Sequence, residues 1–163
     1  MRRVLVLSIG LLLVGCGIPV SVQSFHEGPP LKGVHTVYVE TGSVSLSRSG
    51  TAVVSVSTTV NVNSTVAAPQ GDAEILKKNV AFSLREHGLK TTEEKQTADA
   101  VAVFSVGAIT DEDQEWVAEK MFLEFQDPKT NAPICVFKAD DGDYETVEDL
   151  LKAICKRISQ EFL

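Results

Sequence analysis

Histidine, cysteine and tryptophan are scarce in this chain: three, three and one residue among 163. Basic residues are also short, 15 against 22 acidic ones, for a formal charge of −7. Each shortage excludes something. His26, His35 and His87 share no spacing that would gather them at one metal or one catalytic centre. The acidic balance argues against nucleic acid as a partner, because phosphate binding rests on clustered Lys and Arg. It also rules out electrostatic attraction to anionic lipid. No glycine-rich cradle stands between a strand and a helix, so no nucleotide and no other cofactor is expected. Serines abound between positions 43 and 64, yet none occupies the strand-to-helix setting of a nucleophile elbow. The run Asp140-Asp141-Gly142-Asp143 invites a calcium reading, but an EF-hand loop needs oxygen ligands at positions one, three and five before its glycine at six. With Gly142 at six, position one is Phe137. No catalytic and no metal-ligating residue is assigned, and a non-enzymatic protein is expected.

What is present begins at the N-terminus. Met1-Arg2-Arg3 is followed by an apolar run from Val4 to Val14, interrupted only by Ser8 and Gly10. The run is about half of the ~20 residues a bilayer-spanning helix needs, and fits the ~7–15-residue apolar core of a secretory leader. It ends in Leu13-Val14-Gly15-Cys16, which resembles the lipobox of bacterial lipoproteins: a branched apolar residue, then a small one immediately before cysteine. The resemblance implies cleavage between Gly15 and Cys16, diacylglycerylation of the Cys16 thiol and acylation of the new amino group. Gly17 after that cysteine implies outer-membrane sorting, and hence a protein anchored at the periplasmic face. Losing Arg2 and Arg3 with the leader leaves 13 basic residues against 22 acidic, a formal charge of −9. Membrane affinity then falls to the acyl chains, at ~0.8 kcal/mol per buried methylene.

The expected division is a leader at 1–15, a lipidated tether at 16–32 with Pro19, Gly28, Pro29 and Pro30, and a single domain at 33–163. Within that domain, residues 33–40 alternate as a first strand. Residues 42–70 form an insertion rich in Ser, Thr and Val and nearly free of charge, whose apolar Val44, Leu46, Val54, Val56, Val60 and Val62 recur with period two. A hairpin at 43–66 turning near Arg48-Ser49-Gly50 is the expected form, mobile, self-pairing or membrane-inserted. A helix follows over residues 72–88, with Asp72 as N-cap, a Leu76/Val80/Leu84 stripe broadened by Ala73 and Ile75, and Gly88 at the C-terminal turn.

Three strands are then expected, over 98–109, 116–126 and 134–138, joined by acidic or proline-containing connections. The acidic run at 140–143 reads as a loop. A last helix runs from a Thr146 cap, with Asp149 in the capping-box position, to about Phe162. Its stripe is Val147, Leu150, Leu151, Ile154, Ile158 and Phe162. The order β-α-β-β-β-α with two one-sided helices implies an α+β fold: a two-layer sandwich, a mainly antiparallel sheet with both helices on one face.

Element order and the Ala98-Asp99 entry to a strand are similar to those of small periplasmic lipoproteins, some of unknown function and some from envelope assembly and secretion systems. That similarity transfers no functional residue. Cys135 and Cys155 leave two readings open: a disulfide closing a loop of about 20 residues, or two buried thiols. The resulting expectation is a membrane-tethered component of the cell envelope that binds another envelope protein or its own copies, the 43–66 segment being the expected contact. The alternative is a ring-forming secretion or pore subunit that lends this segment to an outer-membrane barrel.

Overall fold

Each long strand places alternate residues on one face, and those residues build the core. The computed structural model describes residues 17–25, 27, 29–47, 70–110 and 115–162. Among them are strands β1 (Val20–Ser24), β2 (Thr36–Ser47), β3 (Lys90–Thr92), β4 (Ala100–Thr110), β5 (Trp116–Gln126) and β6 (Pro133–Thr146). Helix α1 (Gln70–Glu86) precedes β3, and helix α2 (Val147–Phe162) follows β6 directly. The six strands form one sheet in the order β1-β6-β5-β4-β2-β3. The pairs β1/β6, β5/β6 and β4/β5 are antiparallel; β2 lies parallel to both β4 and β3.

Val37, Val39 and Val44 of β2, Ala102, Phe104 and Val106 of β4, Met121, Leu123 and Phe125 of β5, and Cys135, Phe137 and Ala139 of β6 are buried in one cluster. Both helices complete it from the same side, α1 with Leu76, Val80 and Leu84, and α2 with Leu150, Leu151, Ile154 and Ile158. The result is the expected two-layer α+β arrangement with a mainly antiparallel sheet.

The ends of the helices follow from short-range chemistry. Gly88, at φ 96°, takes the left-handed position after α1. Leu89 N–H then reaches the Leu84 carbonyl and Gly88 N–H the Arg85 carbonyl, both at 3.1 Å, the bond pair of a Schellman motif. At α2, Thr146 Oγ1 accepts from Asp149 N–H at 3.1 Å and donates to the Asp149 carboxylate at 2.8 Å. The hydroxyl thereby satisfies one of the N–H groups a helix start leaves unpaired.

The structure departs from the expected order in four places. The stretch 16–32, read as tether, contains β1, which pairs with β6 along Val20–Ser24. Ile18, Val20 and Val22 pack against the core, and Leu31 is fully buried within it. Residues 29–34 form the turn into β2 instead: Lys32 N–H bonds to the Pro29 carbonyl and Val34 N–H to the Leu31 carbonyl, with Gly33 at φ 84°. Second, residues 42–47, read as the first arm of a hairpin, continue β2 and pair in parallel with β4. The remainder of that expected hairpin, 48–66, lies outside the described residues. Third, β3 was not anticipated; only three residues long, it shows no alternation to read. Fourth, the acidic run at 140–143 belongs to β6. Gly142 at φ 80° accommodates an irregularity opposite Ala118 and Lys120 that lets the strand continue.

The parallel pairing of β2 and β4 slips between Thr41 and Val44. Gly42 sits in that slip, where a Cβ would stand 2.6 Å from Ser105 Oγ, 2.8 Å from Val103 Cγ1 and 3.0 Å from the Phe104 carbonyl. Ser43 N–H donates to the same Ser105 Oγ at 3.1 Å. Gly42→Ala should therefore destabilise by about 1–3 kcal/mol, as forced overpacking does. Gly107→Ala in the neighbouring strand meets nothing within 4 Å and should leave the thermal midpoint unchanged or raised. Parallel thermal melts of the two variants check the contrast.

Candidate functional site: a groove between the helices

The two helices do not close completely over the sheet. Between them lies a cavity of about 310 Å³, with Phe104, Val106 and Met121 of the sheet, Val80 of α1 and Leu151 of α2 among its lining residues. A second recess of about 350 Å³ shares Leu76, Asn79, Val147, Glu148 and Lys152 with the first and ends at Glu115 and Trp116. Together they make one groove, apolar at the bottom of the first cavity and polar toward Glu115, Thr146 and Asp149 in the second.

Its rim is polar and mostly acidic. Glu86, Glu115, Glu148 and Asp149 stand along it, with Lys152 as the one ammonium among its described lining residues. Lys152 is held by Glu148 at 3.0 Å and Asp149 at 3.6 Å, and these contacts push its pKa up. Beside the groove α1 exposes two large apolar side chains, Ile75 and Phe82, each 55% accessible. Ile75, Asn79 and Phe82 follow one another at i, i+4 and i+7, a second stripe distinct from the buried Leu76/Val80/Leu84 one. Ile75 was expected to widen the buried stripe, whereas the structure turns it outward. Phe82 was not singled out; its spacing of seven from Ile75, off the buried stripe, was the available signal.

Residues considered for chemistry are scattered. His87 Nδ1 lies 2.8 Å from the Ser83 carbonyl at the end of α1. His35 contributes backbone contacts at the start of β2. His26 lies outside the described residues, as do Gly15 and Cys16. Among the described residues no group of three or more His, Cys, Asp or Glu side chains converges. Cys135 on β6 and Cys155 on α2 are two buried thiols. Ser83 Oγ donates to Cys155 Sγ at 3.3 Å across the helix pair. Burial pushes the Cys155 thiol up to about 11, so it carries almost no thiolate at neutral pH.

In sequence, the chain matches no family model and no curated protein. Solved structures share its arrangement only distantly. A PelC dodecamer from Paraburkholderia phytofirmans is 16% identical over 87% of this chain and 89% of that one, with a TM-score of 0.41. A DUF4136 family protein from Bacteroides thetaiotaomicron is 9% identical over 89% and 94%, at 0.44. A DUF330 protein from Xanthomonas campestris is 10% identical over 78% of each chain, at 0.34. None transfers a residue or a role.

Asp99, at the strand entry noted in the sequence, has a structural task away from the groove. Its carboxylate accepts from His35 N–H at 3.0 Å and Thr36 N–H at 2.8 Å, and its own N–H donates to the Thr36 carbonyl at 2.8 Å. The carboxylate thus fixes the start of β2 against β4. The His35 and Thr36 amides favour the charged form and hold its pKa below the ordinary value of 3.8. A depressed folded-state pKa means that the unfolded chain takes up the proton more readily. The stabilisation is therefore complete above about pH 4 and lost as pH falls through the folded value. Asp99→Asn should flatten the fall of stability below about pH 4, measurable by urea unfolding at several acidic pH values. An unchanged slope would remove this role.

Proposed function

We propose that this chain is a lipid-anchored protein at the periplasmic face of a bacterial outer membrane, and that its work is binding rather than catalysis. Supporting the anchor is the Leu13-Val14-Gly15-Cys16 stretch that ends the leader-like apolar run. Binding to another envelope protein or to a second copy of the chain is assigned to the interhelical groove. One observation carries that assignment: α1 sets Phe82 largely in solvent beside the cavity it lines, with Ile75 exposed two turns earlier on the same helix. Exposed apolar surface next to a cleft marks interaction sites in soluble domains.

The test is chemical cross-linking in intact membranes, comparing the natural chain with an Ile75→Ser, Phe82→Ser double variant. Both side chains are exposed, so stability should change by no more than about 0.5 kcal/mol per site. Loss of cross-linked species at unchanged protein level is expected. An identical cross-linking pattern in the two would contradict the assignment.

A further inference from the structure

We infer that the groove receives an amphipathic helix of a partner protein that carries Lys or Arg beside its apolar face. The inference rests on the groove being the contact surface, and it specifies the chemistry of the occupant. The apolar lining asks for an apolar face: Leu76, Val147 and Leu151 border it above the buried Phe104 and Met121, and Phe82 extends it outward. The rim selects the charge. Its carboxylates outnumber Lys152, and that ammonium is already engaged by two of them. An anionic occupant, whether a fatty acid, a phospholipid headgroup or an acidic peptide, would face like charge here, which disfavours it strongly. Basic side chains flanking an apolar strip would meet opposite charge on both sides.

The backbone decides between helix and strand. The groove walls are two helices, and its floor is the face of the sheet, not an edge. No row of unpaired backbone groups is offered there, so an extended segment would leave its own N–H and C=O groups unsatisfied. A helix satisfies them internally and lays down an apolar stripe, as in other helix-in-groove complexes.

Trp116, the only tryptophan in the chain, lines one end of the groove and reports on it. The experiment titrates the domain with a Trp-free Leu–Lys amphipathic peptide of about five helical turns, a Leu–Glu peptide of the same pattern, and dodecanoate, following Trp116 fluorescence. The Leu–Lys peptide should give a saturable change that weakens with salt. Glu86→Lys and Glu148→Lys should each lower its affinity by about tenfold, as loss of an opposed charge does. Glu86 is exposed in the last turn of α1, where a cation is tolerated, so that variant remains informative if Glu148→Lys fails to fold. Glu124→Lys makes the same charge change on the opposite face of the sheet, beside Phe125, and should alter affinity by less than about twofold.

Equal loss with Glu124→Lys would mean unspecific attraction and overturn the inference. So would tighter binding of the Leu–Glu peptide or dodecanoate, which would leave the groove a docking site for different chemistry. A Trp116 change that appears with protein concentration alone would assign the groove to a second copy and overturn it too. No saturable change with any probe, together with unaltered cross-linking of the Ile75→Ser, Phe82→Ser variant, would remove the docking reading itself.

Discussion

Phe125→Ala should lower the unfolding free energy by about 3–5 kcal/mol, the range for emptying a large buried aromatic site. Phe125 is completely buried on β5 and meets Phe137 of β6 edge to face, with ring centroids 5.9 Å apart and planes at 77°. Few side chains can rearrange into the space, because Cys135 and Leu123 around it are themselves fully buried. A loss of that size is a large share of the roughly 5–15 kcal/mol that holds a domain together. Urea unfolding followed by Trp116 fluorescence measures it. Phe82→Ala removes the same side chain from a position 55% exposed and should cost no more than about 0.5 kcal/mol. A comparable loss at both sites would mean that the core is not where the sheet and helices place it. A double-mutant cycle between Phe125 and Phe137 should further return a coupling of about 0.5–1.5 kcal/mol, the part that belongs to ring geometry.

The second large effect concerns compartment. If Cys16 carries the anchor, replacing the leader and Cys16 by an ordinary cleavable secretory leader followed by serine should turn a membrane-bound protein into a freely soluble periplasmic one. The natural chain should sediment with membranes, resist high salt and dissolve only with detergent. Salt should not matter, because a mature charge of −9 offers no attraction to anionic lipid. On the proposed reading acyl chains provide the hold: a single one gives marginal, reversible binding of about 10⁴ M⁻¹, while two or more give stable attachment. The serine variant should appear in the osmotic-shock fluid with its thermal midpoint unchanged. Its persistence in the membrane fraction would place the anchor elsewhere.

How much of this could be read from the chain alone depended on whether the pattern was local. The two helices were legible because their patterns are local: Leu76, Val80 and Leu84 ending at Gly88, and Thr146 with Asp149 opening α2. Asp72, read as the N-cap of α1, lies inside its first turn because the helix begins two residues earlier at Gln70. Strand β4 was legible as an unbroken apolar, β-branched run, and β5 because Met121, Leu123 and Phe125 alternate with more polar neighbours. Edges were not. β1 is five residues of mixed polarity, and only its pairing with β6, more than 100 positions away, makes it a strand. Pro19, Gly28, Pro29 and Pro30 suggested a tether, although Pro29 serves a turn whose Leu31 is in the core. The parallel placement of β2 between β4 and β3 was equally hidden, since alternation fixes a strand's faces and says nothing of its neighbours.

The groove was legible only in part. Its helix-side residues Leu76, Val80, Val147 and Leu151 were read as buried stripes, because a buried side chain and one lining a cleft carry the same periodic signal. Glu86, Glu115 and Glu148 are remote in sequence and come to border the two adjoining cavities only in the folded chain. Ile75 and Phe82 were present as a seven-residue repeat, overshadowed by the stronger buried stripe. Cys135 and Cys155 were open to either pairing or burial as thiols, and the Ser83 contact that meets one of them comes from a helix 72 residues away.

The claim on which compartment and partner class both depend is the acylated N-terminus. Intact-mass spectrometry of the protein extracted from membranes by detergent tests it most directly. The account predicts a chain that begins at Cys16, lacks residues 1–15, and is heavier than its amino-acid mass by a diacylglyceryl group and an amide-linked acyl chain. A mass equal to that of the full unmodified sequence, with an alkylatable thiol at Cys16, would contradict it.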